Sequence, residues 1–148
     1  MSFPWAVTTL TDRFRAGWAE TDVILDGDAY DEPNPPRPFV ILGVEGGPSE
    51  SLGIAGDGVL YCRQHLTVTL DAFSPITDGR ALPVELADRA GLVLARLSLG
   101  GTGPRAPGLT TLVPSTSGPW PARGSAGYLT ARCEIEGHVD FWSERNAG

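Results

Sequence analysis

Two stretches of this chain alternate apolar and polar residues with a period of two over more than a dozen positions. From Val59 to Phe73, Leu60, Cys62, Leu66, Val68, Leu70 and Ala72 fall on one side; Tyr61, Arg63, His65, Thr67, Thr69 and Asp71 fall on the other. From Tyr128 to Trp142, Leu129, Ala131, Cys133, Ile135, Val139 and Phe141 oppose Thr130, Arg132, Glu134, Glu136, His138 and Asp140. Such alternation predicts two long strands, each with one buried and one wet face. Gln64 interrupts the first apolar side once. Between the strands, Leu82, Leu86, Ala90, Val93, Leu94 and Leu97 recur at steps of three and four, which predicts an amphipathic helix. Asp78 is its expected cap, Pro83 is tolerated in the first turn, and Gly100-Gly101 is its expected end.

Weaker signals fill in the rest. Leu10, Phe14 and Trp18 predict a short N-terminal helix capped at Thr9, with Asp12 three residues on and Gly17 weakening its end. Residues 21–37 read as a loop rich in acids and proline, in which Val23-Ile24-Leu25 is a brief strand or an apolar peg. Pro33, Pro35, Pro36 and Pro38 stiffen it into an extended arm. A strand is expected from Phe39 to Glu45, a turn at Gly46-Gly47-Pro48, a small strand at Leu52-Gly53-Ile54 and a second turn at Gly56-Asp57-Gly58, together a protruding hairpin. Residues 100–127 contain one expected strand, Leu109 to Val113, and otherwise a long loop around Pro119-Trp120-Pro121. The expected fold is a single α+β domain over residues 1–148: a mostly antiparallel sheet of long strands packed against one main helix plus the short N-terminal one. A sheet so sparsely covered leaves edges and a face that one copy cannot bury, which points to a building block rather than an enzyme.

The chain has 148 residues, 19 Gly and 13 Pro, and a formal net charge of −7. All 11 basic residues are Arg, so chemistry that depends on lysine, such as the P-loop or a Schiff base, is excluded. The acidic balance argues against general attraction to nucleic acid but suits a wall that DNA slides past. Cys62 and Cys133 are too few for a disulfide scaffold; they read as buried thiols, with a bridge between adjacent strands as the alternative. No signal peptide is expected and no run of about 20 apolar residues spans a bilayer, so the expectation is a soluble protein made in a cytoplasm.

Candidate chemistry is thin. His65 and His138 lack a second ligand at metal spacing. Asp26, Asp28, Asp31 and Glu32 lack the order of a calcium loop. No G-x-S-x-G occurs, Gly100-Gly101-Thr102-Gly103 follows a helix rather than a strand, and Glu134 with Glu136 reads as an alternating wet face rather than a glycosidase pair. No catalytic, cofactor or metal residue is assigned.

The order of segments resembles the phage tail terminator-like proteins, the group that includes tail terminators of long-tailed phages and of gene transfer agents. The resemblance rests on Arg13-Phe14 and Trp18, Thr21 before the proline arm, Pro38-Phe39-Val40-Ile41-Leu42, a G-x-G hairpin leading to Leu66-Thr67-Val68-Thr69-Leu70, Leu86-Ala87-Asp88-Arg89, and the closing strand Cys133 to Phe141. The chain departs from it at Asp22, where the family pattern has proline. The resemblance implies a non-enzymatic virion protein without cofactor. It forms a homohexameric ring in the neck, at the head-proximal end of the tail tube, after assembly in the host cytoplasm. Its partners are further copies of itself, the tail tube protein and a head-completion (stopper) protein; DNA passes through the lumen without specific binding, and no membrane is involved. On that reading Tyr61, Arg63 and His65, with Arg132 opposite, are candidate subunit contacts. Gly47, Leu52 and Ile54 in the hairpin, and Trp120, are candidate tube or neck contacts. The alternatives are another head–tail connector or tube component, or a small ligand-binding or hydrolytic α+β domain.

Overall fold

In the computed structural model, which describes residues 2–143, a six-stranded sheet carries two helices on one face. The order along the chain is α1 (Ser2–Gly17), β1 (Asp22–Leu25), β2 (Phe39–Ile54), β3 (Leu60–Pro75), α2 (Ala81–Leu94), β4 (Ser98–Gly100), β5 (Gly108–Pro121) and β6 (Tyr128–Ser143). In space the strands run β1-β2-β3-β6-β5-β4. The two strongly alternating segments, β3 and β6, are the central pair. They are hydrogen-bonded from Leu60↔Ser143 to Pro75↔Tyr128, so a single register fixes two long apolar rows against the helices.

The sheet is mixed, which corrects the mostly antiparallel expectation. β1 runs parallel to β2, with Val23 beside Val40 and Leu25 beside Leu42, while the other pairings are antiparallel. The acidic, proline-rich arm supplies the crossover that a parallel pair requires. Val23-Ile24-Leu25 is thus a true strand.

The N-terminal helix is also longer than expected. α1 has 16 residues and begins at Ser2, so Thr9 lies inside it and caps nothing. Ala6, Leu10 and Phe14 are its fully buried stripe; the stripe starts one turn before the first residue the sequence pattern caught. Trp18 stacks on Phe14 at 5.7 Å and donates its indole N–H to the Thr21 hydroxyl at 2.9 Å. The aromatic and threonine positions that carried the family resemblance therefore hold the helix exit in place. A Cβ on Gly17 would stand 2.8 Å from a Val93 methyl, so this glycine permits close approach of α1 to α2.

α2 begins at Ala81 after a short 3-10 turn, Ile76–Asp78, and Asp78 makes no capping bond to it. It ends at Leu94, well before Gly100-Gly101. The buried Thr111 hydroxyl donates to the Leu94 carbonyl and accepts the Leu97 N–H, satisfying groups that a helix end leaves orphaned. The released chain then forms β4.

Two further expectations give way to longer strands. Gly46-Gly47-Pro48 is a register shift inside β2 rather than a turn, and residues 114–121 continue β5 with shifts at Thr111/Pro114 and Ser117/Trp120. In both places a long regular neighbour supplies a ladder, and a bulge absorbs the glycine or proline that would otherwise end the strand. The turn at Gly56-Asp57-Gly58 is as expected. The core between sheet and helices contains Leu10, Phe14, Val40, Val68, Leu70, Leu94, Ile135 and Val139. Cys62 and Cys133 are both free thiols. Cys62 faces Phe141 and Cys133 faces Leu70, eight positions apart along β3 and so separated by about 26 Å; the alternative disulfide is ruled out by reach.

Candidate assembly surface

The face of β3 and β6 turned away from the helices is a ladder of polar cross-strand pairs: Arg63↔Asp140, His65↔His138, Thr67↔Glu136, Thr69↔Glu134 and Asp71↔Arg132. No helix covers it. At one end Arg63 donates from Nε to Asp140 Oδ1 at 2.7 Å and from Nη2 to Oδ2 at 3.0 Å, a fork-to-fork geometry that only arginine provides. The Tyr61 hydroxyl lies 3.4 Å from the same carboxylate. The Arg63 guanidinium holds the Asp140 carboxyl below the usual range, against partial burial that raises it. Burial and then Asp140 push the Tyr61 phenol up. Arg132 pairs in the same forked way with Asp71, at 2.7 and 3.0 Å.

The two histidines face each other across the strands with ring centroids 6.5 Å apart. His65 Nε2 lies 3.1 Å from Glu50. Burial and the neighbouring Arg63 lower the His138 pKa, with Asp140 opposing. Among the described residues no group of three His, Cys, Asp or Glu is close enough together to hold a metal ion. No described helix is long and apolar enough to cross a membrane.

Of the subunit-contact candidates, Tyr61, Arg63 and His65 do share one end of the open face. Arg132 does not join them. The residue across from Arg63 is Asp140, and Arg132 sits eight positions further along, beside Asp71. Alternation alone placed Arg132 on the correct face but carried no register. Both arginines are engaged within their own chain. Sequence reading also missed Asp140 as the shared partner, Trp142, which packs on Tyr61 at 4.9 Å, and Arg105, which lies over Trp142 at 4.7 Å and bridges to Asp57 at 3.0 Å. The aromatic Trp142 opposite Tyr61 was the one signal available for that cluster.

The tube-contact candidates divide between the two ends of the sheet. Gly47, Leu52 and Ile54 lie on the outer half of β2, where Ile54 is 71% exposed and Leu52 42%. Trp120, 46% exposed, pairs with Thr130 at the far end of β5. There the β5–β6 hairpin and the open face form a cleft of about 840 Å³, lined among others by Asp71, Phe73, Trp120, Pro121, Arg123 and Arg132. Beneath its rim, Phe39 stacks on Phe73 at 4.7 Å and meets Tyr128 edge-on.

The outer edges of both β2 and β5 are open along more than half their length. Among the described residues no strand pairs with the outer edge of β2 beyond Leu42, or with the outer edge of β5 beyond Leu112. Each open stretch carries devices that resist strand addition: Pro48, Glu45 and Glu50 on β2, and Pro114, Pro119 and Pro121 on β5, because proline has no N–H to offer and charge discourages pairing. Both edges therefore disfavour ladder extension by a further strand.

No protein-family model matches the chain, and no curated protein does. The fold does recur among solved structures. One of these, which carries no descriptive name, is 17% identical, with a TM-score of 0.57 over 91% of this chain and 90% of that one. The likeness concerns the fold alone.

Proposed function

We propose that this protein is a structural subunit of a virion tail: a terminator-like component whose copies close into a homohexameric ring at the head-proximal end of the tail tube, end tube growth and present a docking face to the head-completion protein. The observation that carries the reading is the unfinished surface of the single copy. Much of one sheet face, along the β3–β6 polar ladder, and most of two strand edges lack cover among the described residues; only the far end of that face is closed, by Phe39, Tyr128 and the arm's Tyr30, and apolar side chains stand exposed at opposite ends. An isolated soluble domain commonly hides such features; a subunit of a closed ring meets its neighbours head-to-tail and covers one kind of patch with another. The pairing of Arg63 and Arg132 within the open face and the net charge of −7 fit a passage through which DNA moves without adhering, since phosphate binding needs free basic clusters. The role is non-catalytic and needs no cofactor or membrane; the setting is the tail neck, reached from the host cytoplasm.

Native mass spectrometry of the purified protein, alone and with tail tubes, together with electron microscopy of the capped tubes, tests this. The expected result is a six-copy ring at one tube end. Unlimited filaments of the pure protein would favour a tube subunit instead, and a monomer that never engages tubes would overturn the proposal.

A further inference from the structure

We infer that the β2–β3 hairpin tip of one copy, through Ile54 and Leu52, seats in the Trp120 cleft of a second copy of this chain; the inference rests on the ring reading and names the contact that closes it. The knob and the hole are both present on each molecule, and neither is satisfied there. Ile54 is 71% exposed at the end of β2, far more than an isolated apolar residue in a closed surface needs. The cleft is about 840 Å³ and carries a half-exposed indole beside Phe73, Pro121 and Ala122, within the size range of recessed binding sites.

One copy cannot bring the two together. Ile54 is across from Leu60, whereas Trp120 is joined through Thr130 to Phe73. Leu60 and Phe73 are 13 positions apart on one continuous strand, about 43 Å at strand rise. The occupant is therefore supplied in trans, and the contact is heterologous: the knob surface differs from the hole surface, so each copy gives one and receives one.

Charge permits the same occupant. Residues 43–60 carry Glu45, Glu50 and Asp57 and no basic residue; residues 117–127 carry Arg123 and no acidic one. Glu50 and Asp57 are partly balanced by His65 and Arg105, but Arg123 on the cleft rim has no ion-pair partner among the described residues. The cleft lining balances Arg123 and Arg132 against Asp71 and Glu134, so an apolar tip flanked by Glu50 and Asp57 meets no net repulsion there, and Arg123 offers it a counter-charge at the mouth. Because the prolines of β5 oppose ladder extension, side-chain insertion is the form of contact the edge permits.

The decisive experiment places a photoreactive benzoylphenylalanine at position 54 and irradiates an equal mixture of ¹⁵N-labelled and unlabelled protein assembled on tail tubes. The expected cross-link joins the labelled hairpin to an unlabelled 118–124 peptide, and the reverse. Cross-links confined to one copy or to another protein, or none on intact rings, would overturn the inference while leaving the ring reading in place; absence of any ring removes both. A second arm uses Ile54→Asp and Trp120→Ala, each expected to weaken assembly at least about tenfold with unchanged circular dichroism. Mixed together, the two variants retain one intact knob and one intact hole between them, so native mass spectrometry is expected to find heterodimers and no rings. A mixture that stays monomeric, or variants that assemble like the parent, would count against the contact.

Discussion

Arg63 and Asp140 stand directly opposite each other on β3 and β6 and are joined by two parallel hydrogen bonds of 2.7 and 3.0 Å. The pair is only partly exposed, at 31% and 18% of the two side chains, so solvent does not fully screen it. It closes one end of the polar ladder and fixes β3 to β6 near their free ends.

Reversing charge at Arg63 would therefore act on the fold before it acts on any neighbour. Arg63→Asp is expected to lower the urea midpoint, and the swap Arg63→Asp with Asp140→Arg to recover most of that loss. Sedimentation of the swapped protein separates the roles. Assembly restored along with stability assigns Arg63 to the single chain; a stable but unassembled swap assigns it to the subunit contact.

Stability on the acid side follows from two groups on this face. The folded pKa of Asp140 is depressed, chiefly by its bonds to Arg63. Its contribution is present above the unfolded carboxylate value near about 3.9 and is lost as pH falls through the lower folded value. The folded pKa of His138 is also depressed, by burial and then Arg63. The unfolded chain then binds the extra proton first, so stability falls as pH drops below about 6.5. Arg63 and His65 oppose its charging and Asp140 favours it. A melting-temperature profile from pH 8 to 3 is expected to show both declines, and His138→Gln to remove the upper one; an unaltered profile would contradict this account.

Gly91 lies where α2 meets β6. A Cβ added there would collide with the Cys133 sulfur and stand 3.3 Å from Pro114. Gly91→Ala is expected to destabilise by roughly 1–3 kcal/mol through overpacking, despite alanine's better helix propensity. Gly91→Ala combined with Cys133→Ala should cost less than the sum of the two single changes, as neighbours sharing one space do. Denaturant melts of the four proteins measure the coupling, and strict additivity would exclude the clash.

Thr111 is 2% exposed and links the end of α2 to β5 through its hydroxyl. Thr111→Val keeps the shape but leaves the Leu97 N–H without that acceptor, at a cost of about 1–3 kcal/mol. Thr111→Ser keeps the hydroxyl and should lose less. Hydrogen exchange at Leu97, faster in the valine variant and near normal in the serine variant, is the expected signature.

Much of the central architecture was legible because burial on a strand or helix leaves a period in the sequence. The rows Leu66, Val68, Leu70 on β3 and Ala131, Cys133, Ile135 on β6 are buried as their alternation required, and Leu86, Ala90 and Leu94 face inward on α2. The helix ends were less legible, because their caps come from elsewhere: Thr111 reaches α2 from a later strand. Of the candidate site residues, alternation assigned Tyr61, Arg63, His65 and Arg132 to the wet face, yet it could not tell that Arg63 meets Asp140 and Arg132 meets Asp71.

The amino-acid sequence alone determined which side of each long strand is apolar, where the main helix lies and how little covering material the chain has, because these depend on local periodicity. Tertiary structure alone decided that β1 runs parallel to β2, that glycine- and proline-rich stretches become bulged strand, and that Trp120 and Ile54 stand at opposite ends of one sheet. Those outcomes depend on register between segments far apart in the chain, and a side-chain period of two fixes a face without fixing which residue lies across from it.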